Sequence, residues 1–243
     1  MSKESKWLEK RVGKITASEL GSIVSKSGKI IDGNLSYIRS KRFERNHGFS
    51  LPVSSYEMEQ GKLREPYAIA WYRAHFPHVD IIYSQEQPEI PFWENELVPN
   101  FGASPDAYTA DETVVIEIKN VVSPTQIEFF FDPATSYEEK KAKVVSDHLE
   151  QLLGQFVAKP SVSLIKLVKY CAQDDNIEKD YDSPLADWRG IVFEFDRKDY
   201  EESIKEITDR IRLFNALIDS KENPSAFKTG EWYVGEDGKL EKK

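Results

Sequence analysis

Apolar and polar positions along the chain change period, and each change marks an element. In "SYEMEQGKLREPYAIAWYRAHF", Ala68, Trp71, Tyr72 and Phe76 fall on one helical stripe. Pro66 interrupts that stripe, so a kink or a new segment beginning at Glu65 is expected. In "TSYEEKKAKVVSDHLEQLLGQFVA", Val145, Leu149, Leu152, Leu153 and Phe156 form the apolar face, with Thr135 and Glu138 at capping-box spacing. "YEESIKEITDRIRLFNALIDS" predicts a closing amphipathic helix, and "NLSYIRSKRFERN" a strongly basic one. "ITASELGSIVSKSG" predicts a short helix capped by Thr16 and Glu19, with Ile15 as a staple and Gly28 as its stop. Alternation predicts strands in "VDIIYSQ", "LVPNFGASPDAYT", "TVVIEIKN", "SVSLIKLVKYCA" and "WRGIVFEFD". Helices, then strands, helix, strands and helix, predict an α/β fold with a mixed central sheet flanked by helices.

One strand breaks its own pattern. Val114, Ile116 and Ile118 share one face and read as core, whereas Val115, Glu117 and Lys119 share the other. The turn upstream centres on Asp111 and Glu112. A hairpin folded about that point pairs residues placing Asp106 opposite Glu117, with Cβ atoms ~5 Å apart. Two facing carboxylates repel unless a hard divalent cation bridges them. Lys119, two residues past Glu117 on the same face, then lies where it orients a water and offsets charge on a phosphate. The competing reading of "EIK" is an exposed strand edge with a Lys–Glu pair; "SPD", placed symmetrically before it, favours catalysis.

Composition narrows the classes. The chain has 243 residues and a net charge of −9, yet residues 1–50 carry eleven Lys and Arg against five Asp and Glu. That +6 leaves −15 for the remainder, and a basic N-terminal region suits a polyanion as well as it suits a solvated face. The single cysteine, Cys171, excludes an intrachain disulfide and a cysteine-ligated cluster, and reads as a small core residue in a reducing, intracellular setting. The four histidines lack zinc-ligand spacing and read as surface or packing residues, so a metal here would take oxygen ligands. No apolar run reaches the ~20 residues of a membrane span, and the charged N-terminus lacks a signal-peptide core.

Together, "RVGKITASEL", "EQGKLREPYAIAWY", "FGASPDAY", "IEIKN" and "HLEQLLGQFVA" resemble, in order, the blocks of the lambda-exonuclease or YqaJ-type phage recombination branch of the PD-(D/E)XK nucleases. The resemblance implies the restriction-endonuclease-like core of that superfamily. It also implies a Mg²⁺-dependent enzyme, with Mn²⁺ as substitute, that degrades one strand of double-stranded DNA 5′→3′ to mononucleotides. The 3′ overhang left behind would serve a single-strand annealing protein. Asp106, Glu117 and the Ile118 carbonyl match the metal ligands, and Lys119 matches the lysine that activates water. Glu65 matches the helix glutamate of a second shell or second metal, and Gln151 the glutamine that hydrogen-bonds within the site. Arg11, Ser18 and Ser104 match the residues that bind the terminal 5′-phosphate.

Without the resemblance, Glu65 reads as a helix-surface charge or a cap before Pro66 as readily as a site carboxylate, Arg11 as surface charge and Ser18 as a first-turn residue. Of Gln151 and Gln155, one turn apart, one is expected to face solvent. The resemblance further implies a ring-shaped homotrimer, no membrane association, and a phage or prophage protein working in the bacterial cytoplasm. The expected organisation is one exonuclease domain over 1–243. In it, 1–55 bind the DNA end, 56–220 form the catalytic core and 221–243 a tail. Asn120-Val121 stands where the family often has Cys-Pro, and the charged stretch Ile127 to Lys143 stays unassigned. The rival functions are an endonuclease on the same core and a catalytically silent DNA-binding recombination scaffold.

Overall fold

The computed structural model describes residues 2–23, 32–51, 56–171, 185–222, 231–235 and 239–242. In chain order it begins with helix α1 (Lys3–Arg11), strand β1 (Ile15–Thr16), a 3₁₀ helix (Ala17–Ser22), α2 (Asp32–His47) and α3 (Tyr56–His75). Strands β2 (Ile81–Tyr83), β3 (Trp93–Glu94), β4 (Phe101–Ala103), β5 (Ala107–Thr109) and β6 (Val114–Val121) follow. Then come α4 (Pro124–Phe131), α5 (Tyr137–Ala158), β7 (Leu164–Cys171), β8 (Gly190–Asp196), α6 (Glu201–Asp219) and the pair β9 (Trp232–Val234) and β10 (Leu240–Lys242).

The main sheet has the order β2-β5-β6-β7-β8, with β6 and β7 parallel and the other pairs antiparallel. It is the mixed α/β sheet that the alternation predicts. β6 is its central strand and not an edge, which removes the exposed-edge reading of "EIK". Both faces are covered. Val115, Val121, Leu167 and Phe193 pack into a core shared with α5, α6 and the 3₁₀ helix. Ile116, Ile118, Val168 and Tyr170 pack with Ala68, Trp71 and Tyr72 of α3. Glu117 therefore sits in a buried row, and only 2% of it is exposed.

The helix of α3 runs through Pro66 without a break, contrary to the expected new segment at Glu65. Proline removes one donor, and the carbonyl it frees belongs to Lys62, an exposed residue beside a solvent-reaching cavity, so the loss is small. The cap of α5 is Ser136 with Glu139, one residue later than Thr135 with Glu138; Glu139 accepts from the Ser136 backbone N at 3.0 Å. "LVPNFGASPDAYT" is two strands, not one. Its first part, β4, joins a small sheet β1-β4-β3, and the chain turns at Ser104–Asp106 before β5 enters the main sheet.

Thr16 and Glu19 do form a capping box, but the element they open is the short 3₁₀ helix. Gly28 lies outside the described residues, as does most of the expected tail from 221 to 243. Two helices, α1 and α4, are not among the elements expected from the pattern. α1 presents mainly charge, with Ser2 as its N-cap, and α4 opens with Pro124 at its first turn. No helix among the described residues is long and apolar enough to cross a membrane.

Candidate active site

The hairpin register is the one the turn predicts: Ala107 pairs with Ile116 and Tyr108 with Val115, which brings Asp106 level with Glu117 just past the end of β5. Glu112, in the turn, takes the left-handed conformation with φ 56°, and the Asp111 carboxylate accepts from the Thr109 hydroxyl at 2.6 Å and the Thr113 amide at 3.2 Å. These local bonds substitute for the Asn-Gly turn that such a hairpin would favour. On the other side, the Ser84 amide donates to the Asp106 carbonyl at 2.9 Å and the Ser84 hydroxyl to the Pro105 carbonyl at 2.6 Å. The corner that carries Asp106 is pinned by Ser84, just after β2, and by β6 together.

Asp106 Oδ2 accepts from the Ile118 amide at 2.7 Å. In an extended strand the amide and carbonyl of one residue point to the same side. The Ile118 carbonyl therefore points toward Asp106 as well, beyond the last residue of β5. Glu117 is held from α5: Gln151 Nε2 donates to Oε1 at 2.5 Å, and Gln155 Nε2 donates to Oε2. Both glutamines face the sheet, which corrects the expectation that one faces solvent. Lys119 Nζ lies 2.8 Å from Glu117 Oε1 and keeps 27% of its side chain accessible.

Glu65 reaches the same centre from α3. Burial raises it to about 7, against a bond from the Tyr83 hydroxyl and with Glu117 adding to the rise. Its Oε1 is buried with no hydrogen-bond partner. Burial, Glu117 and Glu65 likewise push Asp106 well above the usual carboxylate range. Burial alone would depress Lys119, but Glu117 and Asp106 outweigh it and hold the ammonium above its ordinary value.

This donor set fits a hard divalent cation: two carboxylates level with each other, a strand carbonyl beside them and an orphaned buried carboxylate oxygen close by. Among the described residues no three His, Cys, Asp or Glu side chains form a cation cage by themselves. A set of Asp106, Glu117 and the Ile118 carbonyl leaves positions for water or substrate, as an open site requires.

Arg11, Ser18 and Ser104 come together as a second cluster, linked by Trp7 and Thr16. The Arg11 guanidinium stacks 4.3 Å from the Trp7 ring centroid, and Trp7 Nε1 donates to Ser104 Oγ at 2.7 Å. Arg11 also donates to Thr16 Oγ1 at 3.3 Å, and that oxygen lies 3.2 Å from Ser18 Oγ. Behind them Glu19 accepts from the Thr16 amide at 3.0 Å and the Tyr37 hydroxyl at 2.9 Å, and pairs with Lys41 at 3.1 Å. Burial lowers Arg11, and Glu19 opposes that shift.

Gly154 lets α5 approach this loop, since a Cβ there would stand 2.5 Å from Leu20 and 2.8 Å from Ala17. A cavity of 430 Å³ is lined by Trp7, Ile90, Lys62, Glu65 and Tyr83. Trp7 and Tyr83 were not singled out from sequence, and Gln155 was noted only for its one-turn spacing from Gln151.

The fold is that of known nucleases. Over 88% of this chain and 92% of the other, it superposes on an alkaline exonuclease, LHK-Exo, from Laribacter hongkongensis with a TM-score of 0.66 and 22% identity. The same enzyme in complex with dAMP gives 0.64 and 23% over the same shares. A phage-related exonuclease from Haemophilus somnus 129PT gives 0.56 and 17%, covering 83% of this chain and 93% of that one. The sequence matches no protein-family model, and no curated protein matches it.

Proposed function

We propose that the chain is a divalent-cation-dependent exonuclease. It removes mononucleotides from the 5′ end of one strand of double-stranded DNA and leaves a 3′ overhang. The observation that carries the reading is the convergence of Asp106, Glu117 and Lys119 at one end of a central hairpin, with Gln151 and Gln155 holding the Glu117 carboxylate. Asp106, Glu117 and the Ile118 carbonyl hold Mg²⁺, or Mn²⁺ in its place, and Glu65 supports it through the Tyr83 side of the cleft. When bound, the cation supplies Lewis acidity to the scissile phosphodiester.

Lys119 orients the attacking water toward phosphorus and offsets the charge that builds on the phosphate oxygens. The two glutamines fix Glu117 so that Lys119 is not its sole partner and stays available to the substrate. Arg11 grips the terminal 5′-phosphate as a charged fork, with Ser18 and Ser104 completing the anion pocket. A phosphate held at Ser104, two residues along the chain from Asp106, would set the end of the strand beside the site, which favours an end-processing enzyme. The dAMP bound to LHK-Exo is a mononucleotide, the product class proposed here.

We further propose that residues 1–243 act as one exonuclease unit in the bacterial cytoplasm. It would assemble as a homotrimeric ring and hand its overhang to a single-strand annealing protein. Linear duplex labelled at either the 5′ or the 3′ end of one strand tests the polarity. Early release of the 5′ label as mononucleotide, abolished by EDTA, is expected; nicking of closed circular DNA would favour an endonuclease instead.

A further inference from the structure

Lys169 is a buried ammonium that the chemistry above does not use. Only 4% of it is exposed, and it is the Cα partner of Lys119 across the parallel β6–β7 pairing. Neighbouring strands lie ~5 Å apart, and paired residues project from the same face. Its Nζ stands 2.8 Å from His148 Nε2 and 4.9 Å from the centre of the Phe130 ring. Burial, with Lys169 and Lys119 adding to it, pushes His148 down to about 3, so the imidazole is neutral and accepts the bond. His148 is thus a fixed partner, not a surface or packing histidine.

His148, Gln151 and Gln155 stand at i, i+3 and i+7 of α5, on one helical face. Gln151 and Gln155 hold Glu117, and His148 holds Lys169. One polar strip therefore runs from Glu117 through Lys119 to Lys169 beneath a single face of α5. The acid that acts on Lys169 is Asp147, and Asp147 is itself bonded to Lys143 at 2.7 Å. Two ammonium groups in register repel, and an anion between them relieves the repulsion. The strip reaches solvent at Lys119, whose side chain is 27% accessible, and away from bulk water the attraction for that anion is stronger.

We propose that Lys119 and Lys169, the latter fixed by His148, form a phosphate subsite for the phosphodiester next to the scissile one. The subsite rests on the nuclease reading and extends it, because it holds a phosphate that is not cleaved and makes Lys169 a binding residue. Counting bound phosphates by salt dependence reads this directly, since each phosphate contact contributes about 0.9 to the slope of log affinity against log salt on duplex DNA.

The test is duplex binding in EDTA across a salt series, for wild type, Lys169→Met, Lys169→Arg and His148→Leu. Lys169→Met should lose about 0.9 of the slope and about tenfold in affinity at low salt. Lys169→Arg should keep the slope, and His148→Leu should fall between. A folded Lys169→Met with an unchanged slope and only a lowered melting temperature would overturn the subsite and leave the nuclease reading standing. Wild-type protein that neither binds nor cleaves DNA would remove both. If Lys169→Met does not fold, His148→Leu decides: an unchanged slope there also overturns the proposal.

Discussion

Asp106 accepts a hydrogen bond from the backbone amide of Ile118 at 2.7 Å, so the carboxylate from one strand of the hairpin is locked to the main chain of the other. That bond places the acid beside Glu117 and turns the Ile118 carbonyl toward the same point. Asp106→Asn keeps an oxygen for the amide but removes the charge. Wild type at alkaline pH should gain stability when Mg²⁺ is added, about 2.7 kcal/mol at a hundredfold excess over the dissociation constant. Asp106→Asn should gain almost none. Thermal melts with Mg²⁺ and with EDTA compare the two, and an equal Mg²⁺ shift in the variant would rule Asp106 out as a ligand.

Glu65 makes stability depend on pH in the absence of a cation. Its carboxyl, ordinarily near 4.5, rises to about 7 in the fold. A folded-state value above the unfolded one means that the group stabilises fully below about 4.5, and that this contribution is lost as pH rises through about 7. Glu65→Gln carries no such term. From pH 4 to pH 8 in EDTA, wild type should therefore lose on the order of 2 to 3 kcal/mol more stability than the variant. Urea unfolding at the two pH values measures it; parallel curves would show that Glu65 is not buried against other acids.

Gln155 donates to Glu117 Oε2, and in the proposed mechanism it positions that carboxylate without touching the reacting atoms. Removing a hydrogen-bond partner of a metal-ligating carboxylate typically costs about 10- to 100-fold in metal affinity or activity. Gln155→Leu should raise the Mg²⁺ concentration for half-maximal activity by a factor in that range, with smaller loss at saturating Mg²⁺. A Mg²⁺ titration of activity separates this from simple damage to the fold, which would lower the plateau alone.

Arg11 should discriminate between DNA ends. Charge-assisted hydrogen bonds contribute about 1.5–3 kcal/mol, so wild type should prefer a 5′-phosphate to a 5′-hydroxyl by roughly tenfold or more in kcat/KM. Arg11→Met should erase that preference by slowing only the phosphorylated substrate. A preference unchanged in the variant would disconnect Arg11 from the end.

Much of the site could be read from the chain because its parts are local. Asp106, Glu117 and Lys119 belong to one hairpin, so the turn at Asp111-Glu112 sets their register, and the pairing of Ala107 with Ile116 agrees with it. Gln155 was misjudged because helical spacing alone cannot show that a carboxylate is wide enough to take one glutamine on each oxygen. Trp7 and Tyr83 approach from α1 and β2, and no local period reports a contact across 97 residues such as Trp7 to Ser104. The new segment at Glu65 failed to appear for the same reason: a lost bond matters only where no solvent replaces it, and exposure at Lys62 is a tertiary fact. Val114, Ile116 and Ile118 identified one core face, but the second face of β6 is buried too, by α5, and a charged pair in the sequence hid that.

The proposed role of Asp106, Glu117 and Lys119 is hydrolysis of phosphodiester bonds. The most direct measurement is release of acid-soluble nucleotides from linear duplex DNA by wild type and Lys119→Ala, each with Mg²⁺ and with EDTA. Release that requires Mg²⁺ and falls by about 100- to 1000-fold in Lys119→Ala, as expected from loss of a transition-state charge partner, supports the account. Equal release by the variant, or release in EDTA, would contradict it.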